Sequence, residues 1–270
     1  MTMGVASLGM YDHPSQQQAN DRLWTAIAGY LRDAGVADVP DALDRKRSVQ
    51  DLWRDPQLLF GQICGYPLLH DGHDGLQLLG LPDYRAVGCG EGTHCSFIIA
   101  RSGDTRRSLP LFRASTAVIN DSSSNSGMNL FRAEVAPFAV HGRFFGKVVI
   151  SGSHRGSMIA VADGNADVAA IDAVTYAALL VAEPALVRQL RVLDQTCPSP
   201  TLPFVTAADT PPDTVAALKD ALHRAIADRK LAQARKAIFL RGVRACDAGD
   251  LESINGIANR AAISGYPRLV

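Results

Sequence analysis

The chain has 270 residues, of which 47% are hydrophobic and 20% charged, with 27 basic residues against 27 acidic ones. This composition excludes a disordered chain and leaves enough apolar mass for a large core divided into two lobes or domains. The zero formal balance argues against a nucleic-acid binder, which carries a basic excess, but not against a small anion held by dipoles and hydroxyls.

In chain order, Gly4 to Leu8 reads as a first strand, within an uncharged stretch from Met1 to Met10 that lacks the basic and apolar regions of an export leader. After the polar segment His13 to Asn20, the residues Leu23, Trp24, Ile27, Tyr30 and Leu31 recur at helical spacing. Residues 51–59 suggest a short second helix. Leu59 to Pro67 reads as a strand ending in a glycine turn, and residues 76–81 and 85–89 as further strands. Cys95 to Ala100 is a clear strand. Ala117-Val118-Ile119 is another, and it runs into Asn120-Asp121-Ser122-Ser123-Ser124-Asn125-Ser126-Gly127 and then a helix to about Ala136.

Lys147 to Ile150 is a strand followed by Ser151-Gly152-Ser153-His154 and a helix from His154 to Ala162. Val168 to Ile171 is a strand ending on Asp172, with a helix over 174–181. Strand, polar corner and helix thus recur three times, the sign of an α/β domain with a mainly parallel sheet. In such sheets the polar strand ends collect along one edge, where ligands bind. Residues 192–194 read as an exit strand, and Pro198, Pro200 and Pro203 stiffen a crossing segment. Beyond Pro212 the pattern is helical over 215–226, 231–243 and 251–262. No apolar run reaches transmembrane length. The five cysteines, Cys64, Cys89, Cys95, Cys197 and Cys246, include no CxxC pair and read as buried free thiols.

Three polar corners carry the candidate chemistry. The Ser122 to Gly127 stretch sits where a strand gives way to a helix, so unpaired amides and the positive end of a helix dipole are on offer. It reads equally as an oxyanion site and as a capped, solvated loop. Ser153 and His154 form a second such corner, readable as an N-cap with an exposed histidine or as further anion donors. Asp172, at the end of a buried strand, must be paired or face a cleft; it reads as a helix cap, or as an acceptor for a protonated oxyanion or a ligand amine. Tyr11, Gln62 and Tyr66 end strands in the first part of the chain, and each reads as ordinary packing or as the opposite wall of a cleft. A serine, His154 and Asp172 invite a hydrolase reading, but no G-x-S-x-G elbow is present. No H-E-x-x-H spacing occurs either, so neither catalytic nor metal residues are assigned.

Read together, Met10-Tyr11-Asp12, Gln62 to Leu68, Ile119 to Met128, Ser151 to His154, Ala166 to Asp172 and the C-terminal Ala261 to Leu269 resemble the phosphate, phosphite and phosphonate substrate-binding proteins of ABC importers. The segments run in that family's order over nearly the whole chain. The resemblance implies a type II periplasmic-binding-protein fold: two α/β lobes, two crossing hinge segments and a central cleft. One lobe would comprise 1–92 and 199–270 and the other, with the serine loop, 93–198. The resemblance further implies that Ser122, Ser123, Ser124 and Ser126 hold the phosphoryl oxygens, with His154 as a further donor; Gly127 and Ser153, in the same two corners, complete the candidate ligand-binding set there. It puts Asp172 toward a ligand amine, and Tyr11, Gln62 and Tyr66 on the first lobe.

The expectation is a monomeric solute-binding protein for a small phosphate- or phosphonate-like oxyanion. It would deliver to an ABC permease, without cofactor, nucleic acid or enzymatic activity. It is periplasmic by resemblance, or cytoplasmic if the absent leader is taken at face value. The alternatives are an enzyme on the same two-lobed fold acting on a small anionic metabolite, and the effector domain of a transcription regulator. The second lacks a helix-turn-helix ahead of the first strand.

Overall fold

The computed structural model describes residues 3–73 and 75–270, so Met1 and Thr2 of the uncharged N-terminal stretch lie outside the described residues. The chain begins with β1 (Val5–Ala6), α1 (Gln17–Asp33), α2 (Val49–Trp53), β2 (Leu58–Gln62), α3 (Gly65–His70) and β3 (Gln77–Tyr84). It continues with β4 (Cys89–Gly90), β5 (Thr93–His94), β6 (Ser96–Arg101), β7 (Thr116–Ile119), a π-helical turn (Asn125–Asn129) leading into α4 (Leu130–Val135), β8 (Lys147–Ile150), α5 (His154–Ala162), β9 (Val168–Asp172), α6 (Ala173–Ala182), α7 (Pro184–Val187) and β10 (Leu190–Gln195). Then follow β11 (Ser199–Pro200), β12 (Phe204–Thr206), α8 (Pro212–Ala227), α9 (Ala232–Ala237), β13 (Leu240–Arg244) and α10 (Glu252–Ile263).

Two compact units result. The first comprises the chain up to Arg85 and Pro200–Leu251; the second comprises Ala86–Ser199 and Glu252–Val270. Residues 252–270, expected with the first lobe, pack in the second unit instead. The reason is hydrogen bonding that the sequence does not advertise. Arg132 Nη1 donates to the Pro267 carbonyl at 2.6 Å, and the Phe144 and Phe145 amides donate to the Val270 carbonyl at 2.9 and 3.1 Å.

The first unit is a five-stranded sheet in the order β1-β2-β12-β3-β13. Strands β1 and β2 pair in parallel; β12 is antiparallel to both β2 and β3, and β13 to β3. Trp24 of α1 stacks on Phe60 of β2, and Phe60 on Phe204 of β12, at 5.7 and 5.2 Å between centroids. The helix expected over 231–243 is broken. Phe239 takes a φ of 59°, which a helix cannot propagate, and the apolar residues beyond it enter the sheet as β13.

The second unit's sheet has the order β10-β6-β9-β7-β8. Strands β9, β7 and β8 are parallel, as the strand–corner–helix repeat requires, whereas β6 runs antiparallel to both of its neighbours, β9 and β10. Val118, Ala169, Ile171, Met158 and Val161 are at most 1% exposed and form the core between this sheet and its helices. Among the described residues no helix is long and apolar enough to cross a membrane.

Candidate functional site

The direction of the strands decides which residues meet. The parallel strands β7, β8 and β9 all end on one edge of the second sheet, delivering Asn120 to Gly127, Ser151 to His154, and Asp172. Antiparallel β6 begins on that same edge, because Ser96 pairs in register with Asp172. Three helical segments start there. Each start leaves backbone amides without intrahelical acceptors, at the positive end of a dipole.

Each start is capped by the residue that local chemistry favours. Ser124 Oγ accepts from the Gly127 amide at 3.0 Å, Ser153 Oγ from Gly156 at 3.0 Å, and Asp172 Oδ1 from Thr175 at 2.9 Å. A serine oxygen that caps in this way still has its own proton to donate. The first helical segment opens as a π turn, with the Asn129 amide reaching back to the Ser124 carbonyl at 3.0 Å. A ladder of buried side chains holds that turn. Asn125 Nδ2 donates to Ser199 Oγ at 2.8 Å, Asn129 Nδ2 to Asn125 Oδ1 at 2.9 Å, and Arg132 Nη2 to Asn129 Oδ1 at 2.9 Å.

Ser126 and His154 are brought together from two corners, with Oγ and Nε2 2.9 Å apart. Burial holds the His154 imidazole below its ordinary pKa against the pull of the Asp172 carboxylate, so it is neutral near pH 7. Ser96 Oγ donates to the Ser126 carbonyl at 2.9 Å and fixes the turn from beneath. Gly127 is required at its position. A Cβ there would lie 1.8 Å from Asn120 Oδ1 and 3.1 Å from His154 Cε1.

The other expected contacts divide. Ser122 is exposed, and Ser123 folds back on Asp121, its amide and hydroxyl both donating to Oδ1 at 2.7 and 2.8 Å. Ser153 is exposed beyond its capping role. Asp172 departs from the picture of a carboxylate presented to a ligand. It is 1% exposed, and its Oδ2 lies 2.6 Å from Nδ1 of His94, a residue sequence reasoning passed over. Burial would raise its pKa, but the neighbouring histidine outweighs that and brings it down to about 2.

In the first unit Gln62 is 4% exposed, and its amide donates to Tyr84 Oη and the Leu202 carbonyl, both at 3.0 Å. With Tyr11 it lines a water-sized cavity of about 20 Å³. Its amide nitrogen is thus committed to the unit's interior and not offered to a ligand. Tyr11 stands edge-on to Tyr84 at 5.5 Å, and Tyr66 tilts over His70 at 4.2 Å; both are half-buried. Among the described residues no cluster of three or more His, Cys, Asp or Glu is arranged to hold a metal.

Comparison with known proteins adds the following. Residues 57–250 match the family model described as the ABC transporter, phosphonate, periplasmic substrate-binding protein. No curated protein sequence matches the chain. Among solved structures, PhnD1 from Prochlorococcus marinus in complex with methylphosphonate superposes with a TM-score of 0.75 at 13% identity, covering 97% of this chain and 98% of that one. A binding protein component of an ABC phosphonate transporter from Pseudomonas aeruginosa gives 0.74 at 16% identity, covering 98% and 88%. A Xanthomonas citri protein bound to ATP gives 0.71 at 17% identity, covering 97% and 98%. At these identities the superpositions establish a shared fold, that of periplasmic substrate-binding proteins.

Proposed function

We propose, because the chain belongs to the family of periplasmic phosphonate substrate-binding proteins of ABC transporters, that its ligand is a small phosphoryl oxyanion held at the strand-end edge of the second unit. The observation that carries this reading is the convergence of Ser124, Ser126 and His154 on the starts of two helical segments, with Ser126 Oγ and His154 Nε2 2.9 Å apart. Neutral hydroxyls, a neutral imidazole and first-turn amides bind an anion without a formal positive charge. Each charge-assisted hydrogen bond contributes about 1.5–3 kcal/mol, so five or six reach micromolar affinity after the costs of association. Ser122, Ser123 and Ser153 are assigned to shaping the corners. The partner is an ABC permease, the working form a monomer and the compartment the periplasm.

The protein is read as a carrier and not a catalyst. Ser126 and His154 are spaced as a nucleophile and base would be, but a triad needs its acid on that histidine. Here Asp172 is engaged by His94 and Thr175.

A thermal-shift series with inorganic phosphate and methylphosphonate tests the reading. At about 100 times the dissociation constant, stabilisation of about 2.7 kcal/mol is expected, a rise of roughly 5–10 °C for a chain of this size. No rise with either anion would remove the proposal.

A further inference from the structure

We infer that His94 sets the ligand class, by occupying the buried carboxylate a cationic ligand group would need; this rests on the oxyanion site proposed above. An ammonium group on a phosphoryl ligand buried at this strand edge needs an acceptor there. Asp172 is the buried carboxylate there, and its two oxygens are engaged by the Thr175 amide at 2.9 Å and by His94 Nδ1 at 2.6 Å. The other nearby acid, Asp121, is turned onto its own loop by Ser123.

The His94–Asp172 pair is sealed, with side-chain exposures of 0% and 2%. Because the pair is sealed, a ligand amine could take Asp172 only by displacing His94, whose two ring nitrogens are buried and have no hydrogen-bond partner among the described residues, leaving the close contact of Nδ1 with Asp172 as the imidazole's polar anchor. Displacement would leave the whole imidazole unpaired in the interior, which is strongly unfavourable. The pair is also coupled to the anion donors. Ser96, which faces Asp172 in the register, donates to the Ser126 carbonyl at 2.9 Å. The site therefore takes inorganic phosphate or an alkylphosphonate without an amino group. His94 acts as a positioning residue, through Asp172 and not by touching the anion.

The test is calorimetric titration of the full chain with methylphosphonate, phosphate and 2-aminoethylphosphonate. In the wild type, methylphosphonate or phosphate is expected to bind at least tenfold more tightly than the amino compound. His94→Leu releases Asp172 and is expected to move the methyl-to-aminoethyl preference by at least tenfold toward the amino compound. His94→Asn, which keeps an N–H near the Nδ1 position, is expected to retain the wild-type order. If His94→Leu does not fold, the wild-type ratio and His94→Asn decide the matter. A wild type that binds the amino compound as tightly as methylphosphonate overturns the inference, as does a folded His94→Leu with an unchanged ratio; in both cases the oxyanion site stands. If none of the three anions binds the wild type, the oxyanion site itself falls and this inference with it.

Discussion

A methyl group at residue 127 has nowhere to go. The Asn120 carboxamide lies 1.8 Å from the place a Cβ would take, and the His154 ring lies 3.1 Å away. The glycine is there so that the π turn can sit against the second corner and keep Ser126 on His154. Gly127→Ala is expected to cost about 1–3 kcal/mol in a urea melt, the usual range for overpacking, and to weaken phosphate binding. Asn120→Ala removes the obstructing group, so the double variant should regain part of that stability and depart from additivity. A fully additive pair would show that Asn120 is not what confines residue 127. The same scale separates the serines by what each touches. Ser126 meets His154, Ser124 caps the turn, and Ser123 is spent on Asp121.

At the level of elements, two of the three helical starts carry a titrating group, and each contributes to the fold's pH response. His154, at the start of α5, has its pKa lowered by burial. Below about pH 6.5 the unfolded chain takes up a proton there that the folded protein resists, so stability declines as pH falls through that value. Asp172, at the start of α6, titrates at about 2. Its contribution is fully present above the ordinary carboxylate value near 3.9 and is lost as pH falls through about 2. Chemical denaturation between pH 7.5 and 2.5 is therefore expected to show a first decline that is smaller in His154→Gln and a second that is smaller in Asp172→Asn, the remainder belonging to groups shifted alike, such as His73 and Asp104. An unchanged first decline in His154→Gln would mean that residue does not control it.

These elements also show how far the sequence was legible. The β7, β8 and β9 corners and α5 were readable because strand, cap and helix follow one another along the chain, and each is governed by local chemistry. His94 was not, since it reaches Asp172 only through the antiparallel pairing of β6 with β9, and no local pattern records that pairing. Strand β13 was missed because its residues continue a helical spacing, and the break depends on the left-handed backbone at Phe239. Asn125 looked like a loop residue, but it is the middle of a buried ladder from Ser199 to Arg132.

Across the whole molecule, the chain leaves the first unit after Arg85, returns after Ser199 and leaves it again after Leu251. The last crossing sends α10 and the C-terminal residues to the second unit, where Arg132 and Asn129 meet the Pro267 and Ile254 carbonyls. The serine corner is thus braced by residues more than a hundred positions away, which is how a surface turn becomes a fixed set of donors. The central claim is that this braced edge binds a phosphoryl oxyanion, and calorimetric titration of methylphosphonate into wild type and Ser126→Ala tests it most directly. The account predicts micromolar or tighter binding by the wild type. It predicts a loss of about 1–2 kcal/mol, roughly five- to thirtyfold, in a Ser126→Ala protein that still melts cooperatively. Equal affinity in the two proteins, or no binding of methylphosphonate or phosphate by the wild type, would contradict it.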